Sequence, residues 1–405
     1  MVKTVISGIG VLAPTGVGTK EYWDATRVGK SGLGPISSID ATQYPVNVAG
    51  EIRDFTPEAL LPSRLKPQTD RVTRLSLVAS DWAVADAQLN LAELDRFSVG
   101  VSTASTAGGF GFAERELRNL WRNGSQHVSA YQSFAWFYAV NTGQISIRHG
   151  LKGPSGVLVS DAAGGIDALA QARRQIRKGT DVMLSGAIDS TLCAWGLVGQ
   201  YSSGRLSEAA DPDSAYLPFD HRATGHVPGE GGALFVLESE QNAVSRGAEI
   251  YGVLAGYGSS FDHSGSARSD GLIHAIQTAL ADAHVAASDV DVVFADAAGV
   301  VELDRAEADA IGSVFGRNKI AVTAPKTATG RLYSGGGPLD IATALLSMSN
   351  NVIPPTINVE VDEAYEMDLV CHPRDVQINT ALVISRGYRG FNSAAILTKI
   401  DTTHH

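Results

Sequence analysis

Apolar and polar positions along the chain fall into two rhythms. Mainly apolar runs of strand length stand at 3–12, 97–101, 182–186, 233–238, 250–257, 291–296, 381–386 and 395–399. Such runs, with little polar alternation, belong to strands covered on both faces. Between them lie stretches with apolar residues at helical spacing. The clearest is 73–89, where Leu75, Val78, Ala79, Trp82 and Ala83 share one face. Further helices are predicted at 20–28, 112–121, 271–284, 304–314 and 337–349, with Leu117 and Leu120 turned inward in the second of these. Strand, helix, strand, helix, then a pair of strands occurs twice. That predicts a duplicated α/β chain with halves 1–245 and 246–405, meeting in the polar stretch 240–249.

The run Ser155 to Lys178 has a distinct form. A short apolar strand, Val157 to Val159, turns through Ser160, Asp161, Ala162 and Ala163. After Gly164-Gly165 an amphipathic helix begins, with Ile166, Leu169, Ala170 and Ile176 on its inner side. Arg173, Arg174, Arg177 and Lys178 come late in it, where cations suit the carbonyl end. A strand that turns sharply into a helix is a common mount for a nucleophile, because the first helical N–H groups stabilise an anion there. Here the position expected to react is Ala162, which has no reactive group.

Composition narrows the possibilities. The 405 residues carry a formal net charge of -11, which opposes a nucleic-acid or anionic-membrane partner drawn by bulk charge. Arg115, Arg118 and Arg122 form a local basic helix face, read as a solvated face. Two cysteines, Cys193 and Cys371, suggest no disulfide framework and no cysteine-based metal site. The ten histidines, His149, His226, His263 and His274 among them, show no metal-ligand spacing. The N-terminus reads as a strand and not a signal peptide, and no run reaches transmembrane length. A soluble, cytoplasmic protein is expected. His404-His405 are given no chemistry. Residues 128–148 are dense in aromatics, including Tyr131, Phe134, Trp136, Phe137 and Tyr138. They fit a core or an interface equally well.

Other candidate chemistry is thin. Ser160 lacks the flanking glycines of a nucleophile elbow. Cys193 and Cys371 sit on no strand-turn-helix corner, and His372 merely follows Cys371. The glycines of SGIGVLAPTG lack the dinucleotide fingerprint. Asp296 ends a strand, and Lys326 and Arg331 stand in a glycine-rich turn before a helix. By themselves these read as capping and loop geometry.

Four stretches carry more: YQSFAWFYAVNTGQISIRHGLKGP (131–154), LPFDHRATGHVPGEGG (217–232), PKTATGRLYSGGGPLD (325–340) and GYRGFNSAA (387–395). Through them nearly the whole chain resembles the β-ketoacyl synthases of the thiolase-like superfamily. Specifically, it resembles the chain-length factors, or ketosynthase β subunits, of bacterial type II polyketide synthases. The resemblance implies a duplicated αβαβα layered α/β fold, with two mixed five-stranded sheets and helices between and outside them. It also implies no cofactor and no metal.

Active members of that superfamily use a cysteine and two histidines. On this chain the cysteine position falls on Ala162, the first histidine on Asp296 and the second on Arg331, with Glu307, Lys326 and Gly330 keeping the register. Without thiolate or imidazoles, no acyl-enzyme and no decarboxylation support are expected. Chain-length factors usually carry glutamine at the first position, sometimes credited with helping decarboxylation. Ala162 cannot polarise a carbonyl. The resemblance further implies a heterodimer with a ketosynthase α subunit, fed by an acyl carrier protein, in aromatic or polyene polyketide synthesis. The growing chain would enter an interface tunnel lined here by Phe110, Ala113, Leu117 and Trp195. Phe134, Trp136 and Phe137 would lie at the interface. The modest size of Ala113 and Leu117 predicts a product longer than an octaketide. Two other readings stand beside this one. One is a stand-alone malonyl decarboxylase or hydrolase using Asp296, Arg331 or Ser160. The other is a homodimeric scaffold.

Overall fold

The computed structural model describes residues 2–262 and 268–400. His263, His404 and His405 lie outside the described residues. In the first half the strands are β1 (Thr4–Ala13), β2 (Val99–Ala104), β3 (Ser155–Leu158), β4 (Val182–Ser190) and β5 (Glu230–Ser239). Its main helices are α1 (Arg71–Asp86), α2 (Phe110–Asn123), α3 (Val140–His149), α4 (Gly164–Arg177) and α5 (Ala194–Tyr201). The second half holds β6 (Gly252–Phe261), α6 (Asp270–Ala283), β7 (Val292–Phe294), α7 (Val301–Phe315), β8 (Ala321–Thr323), α8 (Gly336–Asn350), β9 (Thr380–Arg386) and β10 (Phe391–Thr398).

The duplication is visible in the strand order. It is β3-β2-β4-β5-β1 in the first half and β8-β7-β9-β10-β6 in the second. In each, the first three strands are parallel and the fourth runs antiparallel to both its neighbours. Two mixed five-stranded sheets were expected. They are present, but joined edge to edge, because Val5 pairs with Val253 and Ile6 with Gly252. A two-residue strand, Asp368–Leu369, extends the far edge beside β8.

The layers follow from which faces are apolar. Ile166, Leu169 and Ile176 of α4 and Ile341, Leu345 and Met348 of α8 share one core with strands of both halves. These two helices are the middle layer. α1 covers the outer face of the first sheet through Leu75, Val78, Ala79 and Ala83. α6 and α7 cover the second through Leu272, Ile276, Ala308 and Ile311. One glycine pair in each half sets the helix–sheet distance. A Cβ on Gly8 or Gly10 would stand 2.3 or 2.0 Å from the carbonyl oxygens of Ala83 and Ala79. On Gly256 or Gly258 it would stand 2.1 Å from those of Ala279 and Ala275. The motifs GIG (8–10) and GYG (256–258) are therefore one packing device used twice.

Arg173 is not the helix-end cation expected from its position. It is buried. Its guanidinium donates to Asp282 on α6 at 2.5 Å and to the Ala255 carbonyl, tying the middle layer to an outer one. Among the described residues no helix is long and apolar enough to cross a membrane.

Candidate functional site

The corner after β3 keeps the geometry of a reactive turn. Ser160 to Ala163 bring the chain from strand to helix, and Asp161 adopts a left-handed φ of 51°. That conformation is uncommon for a side-chain-bearing residue and is held here by tertiary contacts. The Tyr388 N–H donates to Asp161 Oδ2 at 2.7 Å, and Ser385 Oγ donates to the Ala162 carbonyl at 2.8 Å. The side chain set at this corner is the buried methyl of Ala162. Ser160 Oγ donates to Asp167, which also accepts from Tyr257 Oη at 2.8 Å and Ser393 Oγ at 2.5 Å. Among the described residues neither histidine nor lysine takes part in that cluster.

Asp296 and Arg331 come together although 35 residues separate them. Asp296 follows β7, where Glu307 of α7 accepts the N–H groups of Asp296 (2.6 Å) and Ala297 (2.8 Å) and so fixes the strand end. Arg331 leaves the turn before α8 just after Gly330, whose φ is 77°. One guanidinium nitrogen donates to both Asp296 carboxylate oxygens, at 2.7 and 2.9 Å, and to the Arg386 carbonyl at 2.7 Å. The other terminal nitrogen reaches the Asp296 carbonyl at 3.0 Å. The Arg386 N–H adds a further bond to Asp296 Oδ1 at 2.8 Å.

Both partners are largely withdrawn from water, with side chains 2% and 11% exposed. Burial alone would raise the Asp296 pKa, but the charges of Arg331 and Lys326 and the Arg386 N–H hold it below the usual carboxylate range. Burial likewise works against the charge on Arg331, yet Asp296 moves its pKa upward. Both groups stay ionised, and a guanidinium does not surrender its proton. The pair can hold charge but cannot shuttle protons.

Around this pair the buried carboxyls behave differently. Burial and the neighbouring Glu307 push Asp304 up to about 8, and burial with Asp296 pushes Glu307 up to about 7. Lys326 is paired with Asp340 at 2.7 Å. His226 is buried, and burial followed by the charge of Arg331 lowers its pKa to about 3, so the ring stays neutral.

Ala162, Asp296 and Arg331 line one remnant cavity of about 10 Å³, room for a single water at most. On the outer side of the pair lies a cavity of about 400 Å³, lined by Arg205, His226, Arg386, Tyr388 and Phe391 among others. Asp296, Arg331 and Tyr333 border both spaces, so the ion pair stands between the outer cavity and the Ala162 corner.

The remaining predicted positions gather elsewhere. Phe110 stacks on Trp195, with ring centroids 4.8 Å apart and planes 11° from parallel. Ala113 is buried. The expectation that Leu117 and Leu120 point inward fails: Leu117 is exposed and Leu120 half-buried, while Phe112, Ala113 and Glu116 form the buried side of α2. Asp70 at the start of α1 accepts the Phe112 N–H at 2.6 Å, and that bond fixes which side turns in. Tyr131, Phe134 and Phe137 are exposed and Trp136 half-buried, so this aromatic run is not core. Arg115 and Arg118 pair with Glu116 (3.2 Å) and Glu114 (2.5 Å).

Cys193 is no nucleophile, because burial pushes its thiol up to about 12. Among the described residues no group of three His, Cys, Asp or Glu side chains is placed to hold a metal. Sequence reasoning missed Asp70 and Glu114. An aspartate before an apolar helical run marks Asp70 as a cap for α1, but its second bond to α2 is a tertiary fact.

Comparison with known proteins agrees with this geometry. Residues 2–243 match the family model of the β-ketoacyl synthase N-terminal domain, and residues 251–360 that of the C-terminal domain. The tetracenomycin polyketide synthase ketoacyl synthase β subunit of Streptomyces glaucescens is 54% identical over 400 residues, covering 98% of each chain. The ishigamide ketosynthase/chain length factor superposes with a TM-score of 0.91 at 26% identity, over 99% of this chain and 100% of that one. A structure of a type II polyketide acyl-carrier protein in complex with its ketosynthase gives 0.91 at 25% identity, over 98% and 100%. The chain belongs to the β-ketoacyl synthase family, within the group of ketosynthase β subunits, or chain-length factors, of type II polyketide synthases.

Proposed function

We propose that this chain is the non-catalytic partner in a heterodimeric ketosynthase, where it shapes the tunnel that sets polyketide length. One observation carries the non-catalytic part. At the places of the two histidines stands a bidentate Asp296–Arg331 ion pair, closing off a corner that presents only Ala162. Claisen condensation needs a nucleophile to hold the acyl chain and neutral donors to stabilise the developing enolate. Neither function is available from alanine or from a closed ion pair. The same pair argues against a stand-alone decarboxylase or hydrolase, and Ser160 is hydrogen-bonded to Asp167, a carboxylate that already accepts from Tyr257 and Ser393 and is therefore a poor general base.

The partner is a ketosynthase α subunit, and an acyl carrier protein delivers the substrate. This reading rests on the relatives, which include ketosynthase β subunits and chain-length factors. The exposed aromatics Tyr131, Phe134 and Phe137 form a surface suited to such a partner. Phe110, Ala113, Leu117 and Trp195 line the far end of the tunnel. We assign residues 1–245 and 246–405 as the two thiolase-like halves and the cytoplasm as the site of action. The test is reconstitution. Polyketide should form only when both subunits are present, and its length should follow this chain when it is exchanged for another β subunit. Product from this chain alone, or a length indifferent to the exchange, would overturn the proposal.

A further inference from the structure

Two carboxylates connect three helices next to the candidate tunnel residues. Asp70 caps α1, with Oδ1 accepting the Val72 N–H at 3.0 Å. Its Oδ2 accepts the Phe112 N–H of α2 at 2.6 Å. α2 has no side-chain cap of its own at Gly109, so Asp70 serves the first turn of both helices. Glu114 repeats the arrangement one helix further on. Its Oε2 accepts the Trp195 N–H, in the first turn of α5, at 3.0 Å, and its Oε1 accepts from Arg118 at 2.5 Å. The α5 cap itself is the Cys193 sulfur, a weak acceptor 3.3 Å from the Gly196 N–H.

Phe110 and Glu114 are four residues apart and therefore share one face of α2. Both reach the same residue. Phe110 stacks on the Trp195 ring, and Glu114 holds the Trp195 backbone. Trp195 is 42% exposed, so part of its ring is not held by packing within this chain. Two points of attachment define the ring's position where one would leave it free to pivot.

We infer that Glu114 is a positioning residue for product length. By fixing the Trp195 backbone it holds the Phe110–Trp195 stack, and the stack forms the stop against which the growing chain ends. Glu114 bonds the Trp195 N–H and Arg118, so it acts on the stack through the Trp195 backbone. This inference rests on the tunnel reading given above, and it adds a specificity determinant outside the tunnel wall. A small displacement of the stop changes the space for one more two-carbon unit. Discrimination of that size in an apolar pocket is easily lost.

The test uses the reconstituted heterodimer with its acyl carrier protein. Glu114→Ala removes the acceptor, and Glu114→Asp withdraws it by one methylene. Each should raise the ratio of off-length to main product about tenfold, a larger change than the fall in total turnover. Glu114→Gln keeps an oxygen at that place and should restore most of the wild-type ratio. The near-UV circular dichroism assigned to Trp195, by difference against Trp195→Phe, should weaken in step with the product ratio. Phe110→Ala and Ala113→Phe are the controls. If they change product length while Glu114→Ala and Glu114→Asp do not, the positioning role is overturned. If no variant changes length, the tunnel reading falls with it. Should Glu114→Ala fail to assemble, Glu114→Asp decides alone.

Discussion

Arg331 holds both carboxylate oxygens of Asp296 through a single nitrogen, at 2.7 and 2.9 Å, between the outer cavity and the one-water space beside Ala162. On the proposed reading this contact stands where active members of the family would carry their two histidines. A carboxylate and a guanidinium locked together in this way hold charge but do not pass protons.

Removing one partner strands the other. Arg331→Ala leaves a buried, unpaired carboxylate and should lower stability by about 3–5 kcal/mol. The double variant Asp296→Leu/Arg331→Met should cost far less than the sum of the single changes. Urea unfolding midpoints of the wild type, both single variants and the double variant check this. Additive losses would count against a coupled pair.

Stability should fall as pH rises from mildly acidic to mildly alkaline. Asp304 and Glu307 have folded pKa values raised to about 8 and about 7, first by burial and then by the charge of Glu307 on Asp304 and of Asp296 on Glu307. A carboxyl harder to ionise in the fold contributes its full stability below the unfolded value of about 4, and loses it as pH climbs through the folded value. Thermal unfolding at a series of pH values should show a declining midpoint up to about pH 8. Asp304→Asn should flatten the decline, although it loses one of the bonds from Phe219 and Gly299.

Ala113→Phe should shorten the polyketide. Ala113 is buried on α2, one turn from Phe110 of the Phe110–Trp195 stack, so a larger ring there would take space from the proposed tunnel end. Overpacking should also cost about 1–3 kcal/mol. Product mass from the reconstituted pair decides, and an unchanged length removes Ala113 from the gate.

The exposed aromatic run should matter to association and not to folding. Phe134→Ser with Phe137→Ser should weaken binding to the ketosynthase α subunit by at least about 2 kcal/mol, as expected for central aromatic anchors. The variant subunit's own far-ultraviolet spectrum should be unaltered. Titration calorimetry measures the first effect. Equal affinity would move the interface elsewhere.

The strands and long helices were legible because their signals are local. β1 is one buried apolar run, and α1 carries a clear inner face. Short elements were lost where local signals conflict. α5 contains Gly196 and Gly199, poor helix formers, so no helix is predicted there from pattern alone. α3 was hidden behind the aromatic run. The inward placement of Leu117 and Leu120 failed because apolar spacing cannot tell a face packed on the chain's own core from one left open. At the site, Ala162, Asp296 and Arg331 were singled out by resemblance to a family pattern. Their assembly around one cavity, and the ion pair itself, required the fold. The matched GIG and GYG motifs were a signal of the duplication in the sequence, but their shared meaning emerges only when a helix carbonyl is seen against each glycine.

The Asp296–Arg331 pair also bears on history. On the proposed reading, a descendant that acquired one histidine alone, at either position, would leave the other charge buried without its counterion. A return to catalysis would also need a nucleophile in place of Ala162. The three changes are useful only together, and the first taken singly is harmful. On that reading such a pair works as a ratchet: once both charges are in place, selection for a stable subunit would preserve a loss of chemistry without any selection against the chemistry itself.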